Sequence, residues 1–197
     1  MNQLESARLT LVPVRTANAA VLWQIMQSPG LREFQDVPRI PRADFERRVA
    51  SRPRRFDGRL QGRFEWLIVP RIERRPVGWV SLRVGEGSPG VAEIGYSVIV
   101  GARGCGYAGE AVRELLGVAF EARAIERVEA CCLPGNVASR RLLARVGFRE
   151  VRLQRSGAVV RGGPVDILVF ELERSAWTLP EPSRAANAAG NPASAKP

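Results

Sequence analysis

The stretch Arg103-Gly104-Cys105-Gly106-Tyr107-Ala108-Gly109-Glu110-Ala111 constrains this chain more than any other. It follows a β-branched run, Ser97-Val98-Ile99-Val100, and opens an amphipathic helical pattern. A strand leading through glycines into a helix start offers backbone N–H groups and the positive end of the helix dipole to an anion. Arg103 adds a cation that can fork onto phosphate oxygens. Gly104 and Gly106 let the backbone approach closely where a side chain would collide. The expectation is a phosphorylated cofactor held by the loop from Arg103 through Gly104, Cys105, Gly106 and Tyr107 to Ala108. The alternative is an ordinary glycine-rich strand-to-helix turn.

Two other phosphate motifs fit this stretch less well. A nucleotide-binding P-loop needs Gly-Lys-Ser/Thr, where this chain has Gly109-Glu110-Ala111. Gly104-x-Gly106-x-x-Gly109 does spell a dinucleotide fingerprint. It comes late, however, after a predicted antiparallel hairpin, and no acidic residue follows at a strand end to bind a ribose.

Composition narrows the chemistry further. There is no histidine among the 197 residues, so any proton transfer must use a carboxylate, a hydroxyl, a thiol or water. The three cysteines, Cys105, Cys131 and Cys132, have no metal-ligand spacing, and the adjacent pair on a predicted strand points to opposite faces. No metal site is expected. No apolar run is long enough to span a membrane, and Met1 to Pro13 lacks the pattern of a secretory signal, which makes the cytoplasm the default compartment. The formal charge is +10, and 29 of the 30 basic residues are arginine, Lys196 being the one lysine. Such an excess reads either as a solvated arginine surface or as a surface for an anionic partner, which the phosphates of a cofactor would satisfy.

Periodicity predicts the element order β-α-α-β-β-β-α-β-α-β-β, a mixed α/β single domain. A strand over 8–14 precedes a helix capped by Thr16 and carrying Ala19, Leu22, Ile25 and Met26; Pro41 opens a second, short helix. Strands over 64–69 and 77–84 form a hairpin, and 92–100 is the next strand. A helix runs from Ala108 to about Arg123, a strand over 127–133, and a helix starts at Asn136 and ends at Gly147. Strands over 148–153 and 165–172 follow, joined by a loop rich in Gly and Arg. The expected domain is 7–177, and 178–197 reads as a disordered tail of Ala, Pro, Asn, Gly and Ser.

Three motifs in this order resemble the GNAT superfamily of acetyl-CoA-dependent N-acetyltransferases. They are Glu93-Ile-Gly-Tyr-Ser97, Arg103-x-x-Gly106-x-Ala108, and Asn136-x-x-Ser139 followed by Leu142 to Phe148. Within that superfamily they look most like the branch containing the ribosomal-protein N-terminal acetyltransferases. The resemblance implies a single-domain GNAT fold: a central, mixed and mostly antiparallel splayed sheet flanked by helices. It implies acetyl-CoA as cofactor, with the pyrophosphate on the Arg103–Ala108 loop and the pantetheine arm pairing with the splayed strand through Val98 and Val100. The N–H of Val98 then polarises the acetyl carbonyl, and Asn136 meets the pantetheine arm, a role compatible with its being a helix N-cap.

The resemblance also assigns catalytic roles. Glu93 is either the general base or a structural carboxylate; partial burial would raise its pKa and suit it to proton transfer. Many relatives carry a tyrosine seven residues after the motif asparagine, a position held here by Leu143. Ser139 is the replacement general acid or a cofactor-contact hydroxyl. Tyr96 lines the acceptor site or belongs to the core. Cys105 reads as a small residue that the loop tolerates. With no activated nucleophile in the chain, the acetyl group would pass directly to a primary amine in a ternary complex.

The acceptor would lie between about Ser28–Arg42 and Arg155–Pro164. Arg32, Arg39, Arg42, Arg155 and Arg161 there outnumber Glu33 and Asp36. This charge points away from polyamines and aminoglycosides and towards a peptide or ribosomal-protein N-terminus, or a small neutral or acidic amine. A homodimer through the sheet edge is implied by the resemblance. The rival classes are a non-catalytic CoA-binding regulatory module and a ribosome- or RNA-associated basic protein, the latter expected to bind with steep salt dependence.

Overall fold

Alternation and helical periodicity place the elements of this computed structural model, which describes residues 2–35, 40–57, 59, 61–85 and 89–178. The expected tail lies outside these from residue 179 on, as do Asp36 and Arg39 and the Arg32 side chain. A two-residue strand, β1 (Leu4–Glu5), precedes β2 (Leu9–Pro13); two residues are too few to show a period. A 3-10 turn over Thr16–Asn18 leads into α1 (Ala19–Met26). Asn18, not Thr16, satisfies this entry: its Oδ1 accepts from the Arg15 N–H at 2.7 Å, and its Nδ2 donates to the Pro13 carbonyl at 3.1 Å. Pro41 caps α2 (Arg42–Ala50), its ring-fixed φ of −54° suiting a helix entry.

The predicted hairpin is β3 (Gly62–Pro70) and β4 (Gly78–Val84), followed by β5 (Val91–Val98). Then come α3 (Tyr107–Glu121), β6 (Arg127–Cys132), α4 (Val137–Val146), β7 (Arg149–Val160) and β8 (Gly163–Glu173). The sheet runs β1-β2-β3-β4-β5-β6-β8-β7. Every neighbouring pair is antiparallel except β5 with β6.

Each face of the sheet has its own core. Leu11, Phe64, Trp66, Leu82 and Ile94 pack with Val112, Leu115, Leu116 and Ala119 of α3 and Leu143 of α4. Leu67 and Trp79 pack with Leu22, Ile25, Phe45 and Val49 on the opposite face. Trp66 and Leu67 are adjacent and enter different cores, as the period of two demands. Fully burying one such side chain is worth about 1.5–3 kcal/mol, so the helices are held by their apolar faces.

The site arises where this sheet fails to close. β5 and β6 pair only through Val91, Ala92 and Glu93 against Arg127, Val128 and Glu129. Both strands continue beyond that point without pairing, so β5 from Ile94 onward presents a backbone edge. Two strand expectations need correction. β5 ends at Val98, and Val100 opens a 3-10 turn (Val100–Ala102) whose carbonyl accepts from the Arg103 N–H at 3.1 Å. The loop expected over Arg155–Pro164 is mostly strand: β7 continues through a bulge between Gln154 and Ala158 and turns back over Arg161 and Gly162, with φ of 55° and 84°. Glycine and arginine made this segment read as loop, whereas the bulge absorbs the irregularity and keeps the ladder.

Candidate active site

A cleft of about 720 Å³ occupies the β5–β6 opening. Its lining includes Glu93, Val98, Arg103, Gly104, Gly106, Tyr107, Ala108, Asn136 and Ser139, so most of the residues singled out in the sequence meet in one place. Val100 and Cys105 do not line it. Val100 is turned outward by the 3-10 turn, with 54% of its surface exposed. Cys105 contributes its carbonyl to a contact behind the loop instead.

The phosphate loop is held in place from outside. Gly104 and Gly106 have φ of 80° and 81°, a region that costs other residues about 1–2 kcal/mol. A Cβ at Gly104 would meet nothing within 4 Å and would project into open space. The α3 ladder begins with the Glu110 N–H on the Gly106 carbonyl at 3.1 Å. The N–H groups of Tyr107, Ala108 and Gly109 therefore have no intrahelical acceptor. A cradle bounded by these donors at the start of a 15-residue helix fits a pyrophosphate.

Arg8, which sequence reasoning missed, pins this loop to the start of β2. Its Nη1 donates to the Cys105 carbonyl at 3.0 Å, its Nε to Glu110 Oε2 at 2.8 Å, and its guanidinium lies 5.3 Å from the Tyr107 ring centroid. Burial alone would push the Glu110 carboxyl up. Hydrogen bonds from Ser6, from the Arg8 N–H and from the Arg8 guanidinium outweigh it and hold the carboxyl below its ordinary value. Arg103 donates to the Gly30 carbonyl at 3.0 Å, tying the loop after α1 to the phosphate loop.

The open edge of β5 carries the next groups. The Ile99 N–H bonds to the Val77 carbonyl at 2.8 Å. Alternation along an antiparallel ladder then turns the N–H of Val98 away from β4 and towards the opening. The Tyr96 carbonyl, on the same side of the strand, accepts from Gln35 Nε2 at 3.5 Å.

A hydroxyl pair spans the cleft. Tyr96 Oη lies 2.7 Å from Ser139 Oγ, joining β5 to the first turn of α4. Burial pushes the Tyr96 phenol up to about 12, against the opposing pull of the Ser139 hydrogen bond. Asn136 caps α4 by accepting the Ser139 N–H on Oδ1 at 3.1 Å, which fixes the Ser139 backbone. Leu143 is fully buried in the core, so that position cannot present a tyrosine to the cleft.

Glu93 faces the cleft from the other side of the sheet plane. Its side chain is 43% exposed and ion-paired with Arg83, its neighbour in the β4–β5 register. Cys131 and Cys132 point to opposite faces, one exposed and one buried, as expected. Loss of solvent around the Cys131 thiol, and then the carboxylates Glu93 and Glu129, push it up to about 11. Burial likewise pushes the Cys132 thiol up.

Among the described residues, the first of the two segments expected to wall the acceptor side does so and the second does not. Leu31, Phe34 and Gln35 line it, whereas Arg42, Arg155 and Arg161 do not. Arg42 is paired with Glu46 at 2.7 Å within α2, and the other two belong to the β7–β8 ribbon and its turn. The cleft is nonetheless cationic. Among the described residues Arg63, Arg103, Arg113, Arg141 and Arg145 line it, against one carboxylate, Glu93. The i, i+4 pair Arg141 and Arg145 on α4 was visible as spacing but not as a site.

A family model for an acetyltransferase (GNAT) domain matches residues 8–149. The chain therefore belongs to the GNAT acetyltransferases, a family of acyltransferases. The chain is 27% identical over 173 residues to an uncharacterized N-acetyltransferase, p20, of Bacillus licheniformis, covering 87% of this chain and 96% of that protein. Two solved structures share the fold. RimL, a ribosomal L7/L12 alpha-N-protein acetyltransferase in complex with coenzyme A, aligns with a TM-score of 0.72 at 17% identity, covering 87% of this chain and 98% of RimL. The ribosomal-protein-S5-alanine acetyltransferase of Vibrio fischeri aligns with a TM-score of 0.73 at 16% identity, covering 90% and 100%.

Proposed function

We propose that this chain transfers the acetyl group of acetyl-CoA to the α-amine of a peptide, by direct attack in a ternary complex within the β5–β6 cleft. The observation that carries the reading is the meeting, in that cleft, of an open strand edge, an N–H cradle at a helix start and a protonated hydroxyl pair. Acetyl-CoA, when bound, supplies an acetyl thioester. The Arg103–Ala108 loop and the free N–H groups at the start of α3 would hold its pyrophosphate, and the Val98 N–H would polarise its acetyl carbonyl. Asn136 spends its oxygen on the helix cap, so its amide nitrogen is the group that meets the pantetheine arm. Glu93 accepts the proton that the amine must lose. Ser139 Oγ holds a proton towards the leaving sulfur, and the neutral Tyr96 phenol holds another behind it.

Both cleft thiols are pushed up and stay protonated at neutral pH, which favours direct transfer over an acyl-cysteine. The cationic lining and the likeness to RimL and to the S5-alanine enzyme favour a peptide N-terminus over a polyamine. The reading places the enzyme in the cytoplasm with 7–177 as its catalytic domain. Among the described residues no helix is long and apolar enough to cross a membrane.

The test is thiol release from acetyl-CoA against N-terminal peptides, amino acids, polyamines and aminoglycosides, with Glu93→Gln, Tyr96→Phe and Ser139→Ala alongside. Release stimulated by peptides and depressed in the variants is the expected result. Tight acetyl-CoA binding with no stimulated release would favour a regulatory cofactor-binding module.

A further inference from the structure

A second cavity, of about 180 Å³, lies on the α1–α2 face of the sheet, away from the phosphate loop. Among the described residues Arg15, Arg52, Arg54 and Arg63 line it, with Glu65 as the one carboxylate. Glu65 is buried, 1% exposed, and serves two of these arginines: Arg52 on Oε2, and Arg63 Nε at 2.8 Å from Oε1. Two guanidinium groups on one carboxylate leave a net positive charge in the cavity wall. Aromatic rings hold both cations: Arg52 lies 5.7 Å from the Phe45 ring centroid, and Arg63 lies 5.5 Å from that of Trp79. Burial and then repulsion from Arg63 lower Arg52 to about 10. Loss of solvent and the neighbouring Arg83 lower Arg63, while Glu93 pulls it the other way. A further anion beside them would offset the repulsion between the two cations.

Arg63 lines both this cavity and the acceptor side of the main cleft. Arg63, Arg83 and Glu93 are register neighbours across β3, β4 and β5. Adjacent strands are about 4.8 Å apart, so Arg63 sits about 10 Å from Glu93, a span that about three residues of extended chain cover. We propose that the Arg52–Arg63 cavity is a specificity pocket for an acidic side chain on the acceptor peptide, at the third or fourth residue from the reacting amine. The pocket rests on the peptide-acetyltransferase reading for its substrate, and on its own arginines for its charge selection.

The test uses peptide pairs identical except for Asp or Asn at residue three or four. With the wild-type protein, the Asp peptide has a KM about ten-fold lower than the Asn peptide, the size expected for a charge-assisted contact, with kcat little changed. Inorganic phosphate raises the KM of the Asp peptide and leaves that of the Asn peptide where it was. In Arg63→Gln the two peptides become equivalent. Equal KM values in the wild type, or a preference for Asp that survives in Arg63→Gln, overturn the proposal; the wild-type comparison decides if the variant does not fold. If neither peptide is acetylated, the transfer reading fails, and calorimetric binding of the same pair to the CoA-loaded protein still decides the pocket. Asp-selective binding upholds it, and equal or absent binding overturns it.

Discussion

A phenol held near 12 stays protonated throughout the range in which a peptide amine titrates, about pH 7.7–8.0. The Tyr96 phenol therefore keeps its proton over the range in which the proposed acceptor amine becomes neutral. Tyr96→Phe and Ser139→Ala are each expected to lower kcat by about 100-fold or more, the range of general acid–base contributions, with little change in acetyl-CoA affinity. Stopped assays of kcat together with cofactor titration separate the two effects. Glu93→Gln carries a pH signature. Below about pH 8 the acceptor amine needs a base, and above it the amine deprotonates unaided. The rate defect should therefore shrink as pH rises through 8 in a pH–rate profile, and a defect independent of pH would make Glu93 structural. Glu93, Asn136 and Ser139 were legible because motif spacing placed them. The Tyr96–Ser139 hydrogen bond was not, because it joins positions 43 residues apart through a strand–helix crossing that no local pattern encodes. Ambiguity at Tyr96, core or site, was real in the sequence: the ring packs against the core while the hydroxyl reaches the cleft.

The element that most needs its neighbours is the loop before α3. Its glycines and helix start were readable, whereas its restraint by Arg8, 102 residues from Glu110 in sequence, was not. Arg8→Ala is expected to weaken acetyl-CoA binding several-fold through a looser loop. It should cost only about 1 kcal/mol of stability, because Arg8 is half-exposed and such pairs are screened. Calorimetric binding and thermal melts test the two parts. Glu110 gives a pH test at the same element. Its folded carboxyl lies below its ordinary value of 4.5, so its stabilisation is full above that value and is lost as pH falls through the lower, folded one. The difference in Tm between wild type and Glu110→Gln should therefore be present at neutral pH and vanish in acid. The two strand misreadings have one cause each. The β-branched run tempted the strand of β5 on to Val100, two residues past its end, where a 3-10 turn takes over. In β7 a bulge let Gly and Arg sit inside a strand.

For the whole molecule, the decisive feature is a sheet whose single parallel pair stops after three residues and then splays. Element order followed from periodicity, and the splayed sheet with its cleft from the family resemblance, which is why the architecture was legible. The charge of the cleft was anticipated in sign but not in source. Among the described residues it comes from Arg63, Arg103, Arg113, Arg141 and Arg145, and not from Arg42, Arg155 or Arg161, since which arginines turn inward depends on packing between elements. The same splay ties the account to a measurable outcome. Mass spectrometry of an N-terminal peptide incubated with the protein and acetyl-CoA should find one acetyl group, on the α-amine, with none retained on Cys131 or Cys132. An acetylated cysteine, or an unmodified peptide in the presence of bound acetyl-CoA, would contradict direct transfer in the β5–β6 cleft.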